Sequence, residues 1–271
     1  MEAQERLLPD ADRLGLLTAT VLVAFAMTRI LPAPEFTVTL QLPGFYFAVP
    51  LTLELALSLL AAGLTATGMA WLLRTHPSLG GKSTVEHWLL PTLTTLVVGI
   101  TLSVLPTIPV WWAGLGASAV LIVLVFMAEY VVVEPAAPYY PVARAGLTAL
   151  SYALFLILAT ALRMAGTRLV VLIPVIFVAG ALIALRILHL DGADTWDFPW
   201  AAGIGLVCTQ LAAGLHYWPL LPLQFGLALT GPLYALTLFS ANITDGIPVR
   251  SSVRGPLAVL GLLWAGAFLL R

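Results

Sequence analysis

Nine stretches of this chain stay apolar for about the length a helix needs to cross a hydrocarbon layer, roughly 20 residues. They fall at 14–31, 49–73, 85–105, 110–133, 145–164, 168–189, 199–216, 219–240 and 255–270, with short polar intervals between them. The apolar runs are continuous and do not alternate at every second position, so they predict helices and not the strands of a barrel. The stretch 199–216 is the weakest, carrying Gly203 and Gly205 and followed by Pro219. Eight spans, with that stretch broken or re-entrant, is the competing count.

One interval does alternate. From Glu35 to Leu42, polar Glu35, Thr37, Thr39 and Gln41 interleave with Phe36, Val38, Leu40 and Leu42, and Pro43-Gly44 then supplies a turn ahead of Phe45-Tyr46-Phe47. A period of two ending in Pro-Gly predicts a short strand or hairpin, and its aromatic residues suit an interface between lipid and water. Within the spans, small residues recur four apart at Ala62/Ala66, Gly63/Thr67, Gly99/Ser103, Gly114/Ser118 and Gly226/Thr230. Such pairs let helix backbones approach closely in lipid. Pro91, Pro174, Pro222 and Pro232 fall inside predicted spans, where each should kink its helix and free a carbonyl that a neighbour must satisfy.

Composition makes lipid the surrounding solvent. The chain is 61% hydrophobic and 9% charged over 271 residues, with a mean hydropathy of +1.02, whereas about a quarter of a soluble protein's residues are charged. The net charge of −1 gives no footprint for nucleic acid. A lone cysteine, Cys208, excludes an internal disulfide. Asn and Lys occur once each while Ala, Leu, Gly, Pro and Arg abound, a composition expected of a GC-rich bacterial genome and hence of a bacterial inner membrane. No polar interval is long enough for a soluble domain, so a single integral membrane domain over 1–271 is expected.

The basic residues give an orientation. Arg6, Arg13, Arg74, Lys82, Arg144, Arg186, Arg250 and Arg254 fall on one side of a nine-span layout, and Arg29, Arg163, Arg168 and Arg271 on the other. The bias predicts a cytoplasmic N-terminus and an external C-terminus, with Arg163 and Arg168 against the rule.

Glu54, Glu86, Glu129, Arg163 and Arg186 all lie within about two turns of a span end, and no ionisable group falls at the middle of a span. Ion-coupled pumps tolerate the cost of such groups at that depth because their function needs them, so this layout argues against one. The mid-span polar groups are mild. Thr92, Thr94, Thr95 and Thr101 are expected to bond back to their own helix, and Gln210, beside Cys208 and Thr209, is the candidate for lining a cavity.

Asp191, Asp194 and Asp197 stand three apart in the interval 189–197, next to Arg186, and three close oxygen donors suit Mg²⁺. Nine spans with such a loop resemble membrane enzymes of the prenyltransferase type, which bind a diphosphate through Mg²⁺. Those enzymes use two Asp-rich loops, and the interval 74–84 contains no Asp. The plainer reading of 189–197 is a solvated turn whose Asp residues cap the next helix. The histidines His76, His87, His189 and His216 show no metal-ligand spacing. Glu86 neighbours His87 but is expected to face elsewhere, which leaves the histidines as tolerated interfacial groups.

Two segments carry a resemblance. Ala66-Thr67-Gly68-Met69-Ala70-Trp71-Leu72-Leu73-Arg74-Thr75-His76-Pro77 closes the second span, and Trp218-Pro219-Leu220-Leu221-Pro222 leads to Gly231-Pro232-Leu233-Tyr234. These resemble an uncharacterised family of bacterial polytopic membrane proteins, classified only as a domain of unknown function. The likeness covers most of the chain and implies no substrate, cofactor or catalytic residue.

The expected fold is therefore all-α: a polytopic transmembrane helical bundle of about nine spans, with a short interfacial β-like segment after the first. The leading functional expectation is a non-catalytic accessory or scaffolding subunit, or a homo-oligomer, working through helix packing among membrane lipids and without a cofactor. The alternative is a carrier or binding protein for a lipid-like apolar molecule, entering near Gln210, Pro222 and Pro232. The third is a Mg²⁺-dependent enzyme acting on a lipid-linked phosphate, with Asp191, Asp194 and Asp197 on the metal and Arg74 and Arg254 supplying charge.

Overall fold

A computed structural model describes residues 9–31, 36–42, 45–74, 76, 79, 84–191 and 196–269. In chain order they form α1 (Ala11–Ile30), β1 (Phe36–Leu42), β2 (Phe45–Leu51), α2 (Leu53–Leu73), α3 (Val85–Ser103), α4 (Ile108–Val132), α5 (Tyr140–Met164), α6 (Leu169–Asp191), α7 (Phe198–His216), α8 (Pro222–Thr244), the one-turn α9 (Val249–Ser252) and α10 (Arg254–Leu269). Among the described residues nine helices are long and apolar enough to cross a membrane, the ninth made of α9 and α10 in succession. The chain is thus a multi-pass membrane protein. The doubtful seventh span is an unbroken helix of 19 residues.

The helix starts and stops have local causes. Asp10 and Thr52 accept hydrogen bonds from the first-turn N–H groups of Asp12 and Leu55, and α4, α5, α7 and α8 each carry a proline in their first two positions, where its missing N–H costs nothing. Pro222 therefore opens α8 and does not kink it, contrary to the expectation from a span beginning at 219. Among the described residues two helices end on a left-handed glycine, α5 at Gly166 (φ 61°) and α8 at Gly246 (φ 77°). In each case the second N–H beyond the helix cap turns back: Thr167 N donates to Leu162 O at 3.2 Å and Ile247 N to Asn242 O at 2.9 Å.

The alternating interval is half of an antiparallel hairpin. β1 and β2 pair from Phe36 with Leu51 through to Leu42 with Phe45, so the first residues assigned to the second span, 49–51, belong to a strand. Thr37, Thr39 and Gln41 are exposed, in line with the period of two. The Pro43-Gly44 turn and Glu35 lie outside the described residues.

The chain divides into two compact units, Met1–Ala137 and Pro138–Arg271. In the first, α2 packs on α1 and α3, and α4 on α3 and α1, around Phe25, Met69, Leu72, Leu73, Ile122 and Phe126. There the Oγ1 atoms of Thr65 and Thr95 bond across α2 and α3 at 2.9 Å. In the second, α6 packs on α7, and α8 on α5 and α10. Since lipid is as apolar as leucine, these contacts hold by dispersion and by interhelical hydrogen bonds.

The small-residue pairs divide sharply. A side chain at Gly99 would meet Ser58, and one at Gly226 would meet Thr160 and the Leu156 carbonyl; Gly63 has nothing near it. Among the described glycines the closest backbone approach falls at one the spacing did not single out: a Cβ on Gly205 would lie 2.9 Å from the Phe177 carbonyl oxygen. The carbonyl that Pro232 leaves free is satisfied by a neighbour, as expected. Pro232 cannot bond the carbonyl four residues back, that of Ala228, and the indole N–H of Trp264 on α10 donates to that oxygen at 3.1 Å. Thr94, Thr95 and Thr101 each bond back to their own helix, as expected, whereas the Thr92 hydroxyl is buried without a hydrogen bond.

Candidate functional site

Two polar constellations stand out against the apolar helices, one in each unit. In the second unit a cavity of about 630 Å³ runs along one face of α5, lined by Tyr140, Pro141, Arg144, Ala145, Thr148, Ala149 and Tyr152, with Asp191 from the end of α6 and Tyr234 from α8. Its floor is low because Pro141, Ala145 and Ala149, spaced one turn apart, carry little bulk. That volume lies within the usual range for small-molecule sites, about 300–1,000 Å³.

The walls are mostly apolar, and two polar contacts stand out along them. Inside the groove the Tyr152 hydroxyl bonds the Thr237 hydroxyl at 2.6 Å, and the Tyr152 and Tyr234 rings lie 5.1 Å apart. At one end Arg144 Nη2 donates to Asp191 Oδ1. The Asp191 charge sits badly with respect to its own helix. Asp191 is the last residue of α6, where the dipole is negative, and Arg144 lies in the second turn of α5, near the positive end.

The constellation in the first unit is largely buried, with the Glu86 side chain 27% exposed. His87, in the first turn of α3, faces a carboxylate on each side: Nδ1 lies 2.9 Å from Glu129 Oε2 on α4, and Nε2 lies 3.3 Å from Glu86 Oε1. The Glu129 side chain is fully buried. Close by, the His76 ring meets the Tyr130 ring edge-on at 4.6 Å. Burial pushes the His76 imidazole below its ordinary 6.5; the neighbouring Glu134 partly opposes this, and His87 adds to it. These positions correct the sequence reading twice. Glu86 does not face away from His87: its Oε1 lies 3.3 Å from Nε2. His76 and His87, read as tolerated interfacial groups, are buried within the protein, each 5% exposed.

The residues singled out from sequence are scattered. Of the three aspartates, Asp191 is engaged by Arg144 and Asp197 occupies the N-cap of α7 without a side-chain cap bond, while Asp194 lies outside the described residues. Among the described residues no three acidic, His or Cys side chains are grouped so as to hold a metal ion. Arg74 and Arg254 are exposed, and so is Gln210 on α7. Pro232 lines a second, wholly apolar cavity of about 370 Å³ with Leu211, Phe239, Pro256 and Trp264. Cys208 is buried.

Arg163, which broke the charge rule, serves the fold. It donates to the carbonyls of His216 and Trp218 at 2.7 and 2.8 Å, closing the C-terminal end of α7. Arg144 and Glu129 escape a sequence reading as site residues. Their partners lie 47 and 42 residues away in sequence, and the one available signal is that each charge stands within about two turns of a span end.

No curated protein and no solved structure matches the chain. One family model does match, over residues 33–270, a range that takes in the hairpin, α2 to α10 and both polar constellations. The chain belongs to the family described as "Protein of unknown function (DUF5656)".

Proposed function

We propose that this protein binds a lipid-like amphiphile in the α5 groove of its second unit, and that it acts as a carrier or receptor and not as a catalyst. The observation that carries the reading is the groove itself: an apolar trough floored by Ala145 and Ala149, with a single ion pair at its end. An acyl chain fits the trough and a polar head fits the ion pair. Native mass spectrometry of protein released from its membrane in mild detergent tests this. Bound lipid should remain on the wild type and be lost when Ala149→Phe fills the floor. Wild-type protein that carries no lipid would overturn the reading.

We place the protein in a bacterial inner membrane with its N-terminus in the cytoplasm and its C-terminus outside, on the strength of the bias in basic residues. The groove's charged end then faces the cytoplasm. Protease access to a tag at each terminus checks this, and a cytoplasmic C-terminus would reverse it.

The scaffolding reading keeps one supporting feature. Gly99, Gly205 and Gly226 make their close approaches inside the units, whereas Gly63 and Thr67 on α2 present an open small-residue face. If a partner or a second copy docks there, Gly63→Leu will dissociate it in detergent without lowering the melting temperature.

A further inference from the structure

We infer that the groove selects a zwitterionic headgroup carrying both a phosphate and a primary ammonium. This rests on the lipid-binding reading and sharpens it. The argument begins with the charges at the end of the groove. The Arg144 and Asp191 side chains are 38% and 30% exposed, and the dipole of α6 opposes the charge of Asp191. Partly exposed ion pairs contribute little to stability, so folding alone gives little reason to hold this one.

The pair is also unsaturated. It uses one guanidinium nitrogen and one carboxylate oxygen, which leaves Nε, Nη1 and Oδ2 without a partner among the described residues. A guanidinium has five N–H donors and a carboxylate about four acceptor positions, so each partner can take a second counter-charge without breaking the first contact.

That arrangement discriminates by charge. An anionic head drawn to Arg144 would lie beside the Asp191 carboxylate and be repelled by it, and a simple cation drawn to Asp191 would meet Arg144. A head with both signs satisfies both groups, the phosphate on the free edge of the guanidinium and the ammonium on Oδ2. Charge-assisted hydrogen bonds of this kind are the stronger class. A primary ammonium donates N–H bonds to Oδ2, whereas a quaternary one has none to give, so ethanolamine-type heads are favoured over choline-type heads. The chain below the head then lies on Ala145, Thr148 and Ala149, towards Tyr152 and Tyr234.

The test uses the full chain in nanodiscs made with equal parts of phosphatidylethanolamine, phosphatidylglycerol and phosphatidylcholine of identical acyl chains, with the retained lipid counted by native mass spectrometry. Wild type should retain the ethanolamine lipid over the glycerol lipid by about tenfold and over the choline lipid by a smaller factor. Arg144→Gln and Asp191→Asn should each abolish that preference, and the exchange Arg144→Asp with Asp191→Arg should restore part of it. Millimolar glycerophosphoethanolamine, which has the head without chains, should not displace the bound lipid. Equal or greater retention of phosphatidylglycerol, or a preference unchanged in Arg144→Gln, would overturn this inference while leaving lipid binding intact. Absence of any bound lipid, or full displacement by the chainless head, would overturn the binding reading itself.

Discussion

Between helices, His87 pairs with Glu129 in the first unit and Arg144 with Asp191 in the second, and the two pairs differ in access. In the first unit His87 and Glu129 are 6% and 0% exposed; in the second, Arg144 and Asp191 are 38% and 30% exposed. A sealed pair has only protein groups to satisfy it, so its geometry is dictated by folding. An open pair can add a ligand without being dismantled, because part of its hydrogen-bonding capacity is unused. Charge near a membrane surface is therefore not one kind of signal. Burial separates the pair that locks helices from the pair that can recognise something.

The largest expected effect breaks the sealed pair. Glu129→Leu removes the carboxylate that meets His87 Nδ1 and leaves the imidazole buried with only the Glu86 carboxylate of the two that flank it. Removing one partner of a buried pair costs about 3–5 kcal/mol, so thermal unfolding in detergent should fall sharply while lipid retention by the still-folded fraction is unchanged. A melting temperature within about a degree of wild type, far less than such a cost implies, would mean that the pair is not structural.

Next in size is a neutral polar contact in the second unit. Trp264→Phe keeps a ring against α8 but deletes the indole N–H that satisfies the Ala228 carbonyl opposite Pro232. An unsatisfied buried carbonyl costs about 1–3 kcal/mol. The double variant with Pro232→Ala returns an amide to that carbonyl, so it should recover most of the loss. Failure to recover would place the role of Trp264 in packing and not in the hydrogen bond.

The spans were legible because lipid imposes a length and forbids unpaired backbone, so each helix announces itself as a continuous apolar run with edges at Pro or Gly. Observed boundaries such as Val85–Ser103 and Phe198–His216 fall within a few residues of those read from sequence. The hairpin was half legible. β1 alternates, but Phe45–Leu51 is apolar on both faces, and that pattern is the same as the opening of a span. The sites were least legible. His87 and Glu129 meet only through the packing of α3 on α4, and the shape of the groove depends on small residues, Ala145 and Ala149, that carry no chemical signature.

A smaller effect falls on the open pair. Arg144→Gln removes a contact of the partly exposed class, which stabilises by about 0.2–1 kcal/mol, so the melting temperature should hardly move. Lipid retention should nevertheless lose its headgroup preference. The contrast with Glu129→Leu is the sharpest form of the comparison: one variant loses the fold and keeps the ligand, the other keeps the fold and loses the ligand's selectivity. If Arg144→Gln instead melts as early as Glu129→Leu, the two pairs are alike and the distinction by exposure fails.

The smallest effect is set by acid and belongs to the sealed side. Burial holds His76 below its ordinary 6.5, so the unfolded chain binds a proton at this ring more readily than the folded one does. Stability therefore rises with pH through that interval. The contribution of His76 is complete above 6.5 and is lost as the pH falls from 6.5 through the folded value. Other groups titrate nearby, so the comparison must be with His76→Phe, which keeps an aromatic ring edge-on to Tyr130 and cannot take a proton. Melting curves taken about one pH unit above and one below the ordinary imidazole value should show wild type losing more stability than the variant over that step. Equal losses would mean that the ring at position 76 reaches water readily, and the seal around the first unit's polar cluster would then be looser than its burial implies.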